Sequence, residues 1–150
     1  MKNNSEEIKR RINRFKDVCR RSKLKLTHQR IEIFYEAAKS GDHPDVETIY
    51  KGVRKRIPTI SLDTVYRTLW LFMDLGLITT LGPPRERLRF DANTDSHHHF
   101  FCKQCGKACD FYSQEFDGLE IPESVKELGS VETVHVEFRG LCSHCSGHKE

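Results

Sequence analysis

No stretch of this 150-residue chain approaches the ~20 consecutive apolar residues that a membrane-spanning helix needs. The N-terminal MKNNSEEIKRR also lacks the apolar core of an export signal. These two absences predict a soluble, cytoplasmic protein with no membrane partner. Without export, the six cysteines argue for zinc or redox use rather than a disulfide scaffold. Apolar residues make up only 37%, which is modest for one large core. The length allows one domain or two small ones, and a domain of ~60 residues often needs a metal or a second subunit. Basic residues are scarce in the second part: residues 92–150 hold 5 Lys and Arg against 10 Asp and Glu, whereas residues 1–91 hold 20 against 12. A net charge of +8 beside one of −5 points only the first part at a polyanion. The chain carries no low-complexity tract and no internal repeat beyond a doubled CxxC.

What is present in the first part is helical periodicity. Ile8, Ile12, Phe15 and Val18 or Cys19 recur at helical spacing between Ser5 and about Arg21, with Lys9, Arg10, Arg14, Arg20 and Arg21 opposite. Thr27 suits the cap of a second helix reaching about Lys39, with Ile31, Phe34 or Tyr35, and Ala38 inward. Asp45 suits the cap of a third, built on Ile49, Val53 and Ile57, whose far side carries Lys51, Arg54, Lys55 and Arg56. Ser61 suits the cap of a fourth, which turns Leu62, Val65, Leu69 and Phe72 inward and Asp63, Tyr66, Arg67 and Trp70 outward until Gly76. Two helices joined by a short turn, the second exposing Tyr66 and Arg67, match a helix-turn-helix. LITTL, Gly82-Pro83-Pro84 and the alternation Arg85, Arg87, Arg89 then predict a hairpin with a basic edge. The expected architecture is therefore α+β: a winged-helix DNA-binding domain over 1–91 and a small α/β domain over 92–150. Tyr66, Arg67, Arg85 and Arg87 are the candidate DNA contacts.

The second part is organised around DANTDSHHHFFCKQCGKACD, residues 91–110. Cys102-x-x-Cys105 has its counterpart in Cys142-x-x-Cys145, and two such knuckles complete a tetrahedron of thiolates suited to structural Zn2+. A thioredoxin-like redox pair expects a single CxxC opening a helix. Cys19 and Cys109 have no partner in spacing and are expected to be buried thiols. HHHFFC and KACDFY suggest two strands, Pro122 to Leu128 a short helix, and Val131 to Phe138 an alternating strand. His97 and His99 alternate on one strand and face one way, His98 the other. Asp91 and Asp110 lie nearby in sequence, and mixed imidazole and carboxylate ligands suit iron, manganese or zinc. His43 cannot be joined to this set by spacing alone. Two histidines and a carboxylate also describe non-haem iron oxygenases. The basic first domain argues against an enzyme, and the H-x-E signature of zinc deaminases is missing.

Over nearly its whole length the chain resembles the ferric uptake regulator family of metal-dependent repressors. The resemblance rests on Leu26-Thr27-His28-Gln29-Arg30, His43-Pro44, Asp63-Thr64-Val65-Tyr66-Arg67-Thr68-Leu69 and Arg89-Phe90-Asp91, together with His97-x-His99-x-x-Cys102-x-x-Cys105-Gly106 and the final CSHC. It implies a homodimer on a palindromic operator, with structural zinc in the dimerisation domain. It also implies Fe2+ or Mn2+ at a regulatory site of His43, Asp91, His97, His99 and Asp110 that ties the two domains together. The two aspartates resemble the peroxide-sensing (PerR) branch, in which iron-catalysed oxidation of His43 or His97 releases the repressor from DNA. Arg67 resembles the recognition helix of iron-type members, and His98 stands where those members often carry aspartate. The alternative within the family is an iron- or zinc-responsive repressor. His98, Asp117 and His135 are the residues from which a third metal site could be drawn.

Overall fold

The computed structural model describes residues 4–39, 41, 43–81 and 88–147, which form two compact units, 1–94 and 95–150. Arg85 and Arg87, and the turn predicted at 82–84, lie outside the described residues. Among the described residues no helix is long and apolar enough to cross a membrane.

The first unit contains α1 (Asn4–Arg21), α2 (His28–Lys39), α3 (Val46–Arg54) and α4 (Leu62–Asp74), followed by β1 (Thr79–Leu81) and β2 (Arg89–Asp91). Local chemistry sets the helix starts. Thr27 Oγ1 accepts from Arg30 N–H at 3.3 Å, Asp45 Oδ1 from Thr48 N–H at 2.8 Å, and Ser61 Oγ from Thr64 N–H at 3.1 Å. Each satisfies an amide that the first helical turn leaves without a partner. Two helices end in the same way. Leu77 N–H bonds Phe72 C=O and Gly76 N–H bonds Met73 C=O after α4; Leu24 N–H bonds Cys19 C=O and Lys23 N–H bonds Arg20 C=O after α1. Gly76 takes the required positive φ of 69° without strain, whereas Lys23 takes 54° with a side chain attached.

Packing starts from three rings. Phe15 stacks on Phe34 with centroids 4.4 Å apart, and Phe72 meets both edge-on at 5.2 and 5.8 Å. Ile33, Ile49, Val53, Val65, Leu69, Leu77 and Ile78 close around them. Leu62, expected inside, is exposed in the first turn of α4, and Thr68 is buried on that helix instead, its hydroxyl donating to Thr64 C=O at 2.7 Å. Glu36 is buried between α2 and α3, where Arg56 reaches it at 2.6 Å and Lys39 at 2.8 Å. Gly52 makes the room, since a Cβ there would stand 2.3 Å from Glu36 Oε2. Arg56, read from sequence as part of a basic outer face, is thus committed to Glu36 and Glu32.

In the second unit β3 (His98–Cys102) lies between β4 (Ala108–Phe111) and β5 (Glu137–Gly140), antiparallel to the first and parallel to the second. Two short helices, α5 (Gln114–Asp117) and α6 (Glu123–Lys126), fill the connection. The alternating strand expected from Val131 to Phe138 is much shorter. Its register sets Glu137 opposite His99 near the start of β3, so residues 131–135 extend past the strand they would pair with.

Candidate metal centres and nucleic-acid face

The parallel β3–β5 pairing builds the cysteine cluster. Cys102 stands opposite Gly140, so the chain leaving β5 delivers Cys142 beside Cys102, and Cys142 N–H donates to Cys102 Sγ at 3.4 Å. Each knuckle turns back on itself through Gly106 N–H to Cys102 C=O at 3.0 Å and Ser146 N–H to Cys142 C=O at 2.8 Å. Gly106 and Gly147, at φ 72° and 74°, permit the reversals. The four Sγ atoms of Cys102, Cys105, Cys142 and Cys145 lie within 4.8 Å of one another. Cys105 and Cys142 are 3.8 Å apart. Four bonds of ~2.3 Å to a tetrahedral ion place sulfurs ~3.8 Å apart, so the donor set fits Zn2+. Backbone amides of Cys105 and Cys142 pointing at its sulfur push the Cys102 thiol down to about 6. Hydrogen bonding with the Cys142 side chain, with burial and the other thiols adding, pushes Cys145 up to about 12. Cys19 is buried on α1, where burial pushes its thiol up, and Cys109 is half-buried on β4.

The imidazole and carboxylate residues form a set in each unit. In the first, the segment before α3 lies along β2: Phe90 N–H donates to Pro44 C=O at 3.0 Å, and Asp45 bridges Arg89. That contact sets His43 Nδ1 3.6 Å from Asp91 Oδ1. His43 is held at φ 50°, a region costly for a residue with a side chain and frequent where structure serves a site. Asp91 also accepts from Asn93 N–H at 2.8 Å.

In the second unit His97 and His99 turn the same way, their Nε2 atoms 3.1 Å apart, and Asp110 Oδ1 lies 3.2 Å from His99 Nε2 and 4.0 Å from His97 Nε2. His99 pairs with Asp110 in the β3–β4 ladder, which is why the carboxylate is there. Donors ~2.1 Å from one ion stand ~3.0 Å apart at right angles and up to ~4.2 Å apart when opposite, so this trio fits a cation. His97 Nδ1 lies 2.7 Å from Asp95 C=O and must donate to it, which leaves the Nε2 lone pair for a metal.

His98 points the other way and is fully buried. Val136 N–H donates to its Nδ1 at 3.2 Å, so Nε2 carries the proton and donates to Asp117 Oδ1 at 3.0 Å. Ser96 Oγ donates to the same oxygen at 2.5 Å and, with His98, holds the Asp117 carboxyl below the ordinary carboxylate range. Both His98 nitrogens are therefore committed to the protein, and His98 and Asp117 brace the sheet in this arrangement. His135 turns towards His99 instead, its Nε2 2.7 Å from His99 Nδ1. Partial burial and the neighbouring His99, His97 and His98 hold His135 below the ordinary imidazole range. The roles of Asp95 and Ser96 were missed from sequence, where a backbone carbonyl leaves no signature, and His135, named there for a third metal site, was not connected with His99.

On α4, Tyr66, Arg67 and Trp70 are exposed, with the Arg67 side chain 80% accessible and Trp70 51%. Asp63 holds Arg67 at 2.8 Å one turn back. Such an exposed pair stabilises by only ~0.3–0.5 kcal/mol, so the guanidinium is easily released to a phosphate or a base.

Comparison with known proteins gives one family. The model of the ferric uptake regulator family matches residues 21–139. The peroxide-responsive repressor PerR of Staphylococcus epidermidis is 31% identical over 128 residues, 84% of each chain. That of Staphylococcus aureus (strain Mu50) is 32% identical over 128 residues, 84% of this chain and 85% of its own. Among solved structures, the Campylobacter jejuni peroxide stress regulator aligns with a TM-score of 0.68 at 25% identity, covering 86% of this chain and 97% of that one. The Helicobacter pylori ferric uptake regulator shares the fold with a TM-score of 0.73 at 23% identity, covering 95% and 96%.

Proposed function

The chain belongs to the ferric uptake regulator family, and on that premise we propose that it is a metal-dependent, peroxide-responsive transcriptional repressor. As a homodimer in the cytoplasm it binds a palindromic double-stranded operator when Fe2+ or Mn2+ occupies a regulatory site of His43, Asp91, His97, His99 and Asp110. It leaves DNA when peroxide oxidises His43 or His97. The observation that carries the reading is the convergence of the His97 and His99 Nε2 atoms with the Asp110 carboxylate. The PerR relatives, at 31% and 32% identity, favour peroxide as the signal.

In this reading residues 1–91 are the winged-helix DNA-binding domain and residues 92–150 the dimerisation and metal-binding domain. Tyr66 and Arg67 contact the operator from α4, and Arg85 and Arg87 from the wing. Cys102, Cys105, Cys142 and Cys145 hold Zn2+ in a coordinatively full site, so they maintain structure and are not the sensors. The Asp95 carbonyl keeps the His97 proton on Nδ1, which aims Nε2 at the regulatory ion. Asp91 and Asp110 supply the negative charge that favours a divalent cation. Bound iron supplies the reducing electrons for peroxide beside these ligands, chemistry that manganese lacks. Metal drives DNA binding only through its preference for the competent arrangement, and a swing from 1:99 to 99:1 takes ~5.5 kcal/mol.

The test is peptide mass spectrometry of zinc-loaded protein given Fe2+ anaerobically and then a small dose of peroxide, with a Mn2+ control. A one-oxygen gain on the His43 or His97 peptide, with iron only and with loss of operator binding, is expected. Unmodified histidines with DNA binding still controlled by metal would make the protein an iron- or zinc-responsive repressor instead.

A further inference from the structure

The three consecutive histidines 97–99, the last two opening β3, differ in what stands behind each ring. His98 is locked between Val136 N–H and Asp117. His97 has the Asp95 carbonyl behind Nδ1. His99 has another imidazole: its Nδ1 lies 2.7 Å from His135 Nε2, with ring centroids 4.5 Å apart, while its Nε2 faces His97 and Asp110. The residue after His135 is pinned to β3, since His99 N–H donates to Val136 C=O at 3.1 Å and Val136 N–H donates to His98. His135 is therefore placed by the sheet rather than by a freely rotating loop.

We propose that His135 is a positioning residue for the regulatory metal: it accepts the Nδ1 proton of His99 and so fixes the tautomer and ring orientation in which His99 Nε2 is a ligand. The chemistry requires such an acceptor. A neutral imidazole that gives its Nε2 lone pair to a cation keeps its proton on Nδ1, and that N–H needs a partner whose loss lowers metal affinity. A neutral His135 with its proton on Nδ1 has the Nε2 lone pair free to accept. The proposal rests on the reading of His99 as a ligand.

Metal affinity, measured on zinc-loaded full-length protein, separates the two ideas. His135→Phe keeps a ring but has no acceptor, His135→Gln restores an acceptor at similar reach, and His99→Ala removes the ligand itself. His135 is exposed and water competes for it, so the loss expected for His135→Phe is ~10-fold in Mn2+ affinity, the low end for residues behind a ligand. His135→Gln should recover most of that loss, zinc content should stay unchanged, and the absorption bands of Co2+ at the regulatory site should keep their positions. Wild-type affinity in His135→Phe, with binding abolished in His99→Ala, would overturn the positioning role and leave the metal site standing. Shifted Co2+ bands in His135→Phe would overturn it by making His135 a ligand, and failure of His135→Gln to recover would reduce it to packing. Unchanged affinity in His99→Ala would overturn the site reading and this proposal together.

Discussion

The two units of this molecule hold together by different means. The first buries Phe15, Phe34 and Phe72 against one another, surrounds them with aliphatic side chains, and fastens its helices with side-chain caps and matching C-terminal motifs. The second has Phe101, Cys102 and Ala108 as its buried apolar residues, while Tyr112, Leu119, Val125, Leu128, Val131, Phe138 and Leu141 remain exposed, Leu128 by 86%. Ordering a chain costs about 1–2 kcal/mol per residue in backbone entropy, and the second unit has little apolar burial to oppose that cost. What it has instead are four cysteine sulfurs spaced for one ion, a histidine–aspartate–serine brace, and an apolar surface that the proposed second subunit would cover. Where a sequence cannot supply a core, residues that bind something else supply the stability.

The comparison predicts that metal removal acts on one unit only. A strong zinc chelator, or Cys142→Ser with a mild one, should abolish amide-exchange protection in β3–β5 and leave that of α2 and α4 in place. Structural zinc contributes apparent free energies of ~10–16 kcal/mol in small domains, so this is the largest effect expected. Loss of protection in both units at once would mean that the first depends on the second. Phe34→Ala should do the reverse, lowering the urea midpoint of the helical unit by the equivalent of ~3–5 kcal/mol while zinc content stays unchanged. Lys23→Gly sharpens the contrast at the small end. The left-handed conformation after α1 costs a residue with a side chain about 1 kcal/mol, so this variant should be more stable by that amount in the same urea titration, without affecting zinc or DNA.

Much of the first unit could be read from residues in order. Thr27, Asp45 and Ser61 cap helices where a side-chain oxygen precedes an apolar stripe, and Val65, Leu69 and Phe72 face inward as their spacing requires. Leu62 escapes that rule because the first turn of a helix overhangs the core it leads into. The strand expected from Val131 to Phe138 shows the limit of periodicity. Alternation reports a face, but a strand also needs a neighbour, and β3 begins too late to offer one. His97 and His99 on one face and His98 on the other follow from the two-residue repeat of a strand alone.

The sequence by itself determined the local devices of this protein: two knuckles that each present a pair of thiolates, helix caps, and charge divided between a basic part and an acidic one. Such features arise within one helical turn or one pleat, where neighbouring residues interact whatever the rest of the chain does. The contacts that complete the proposed metal sites were decided by tertiary structure. The two knuckles meet because β5 runs parallel to β3 with Gly140 opposite Cys102. His43 stands beside Asp91 because Pro44 C=O accepts from Phe90 N–H, and His135 reaches His99 across 36 residues of chain because the same β5 pairing holds Val136 against β3. These juxtapositions depend on strand pairing and register, which one residue's slip would change.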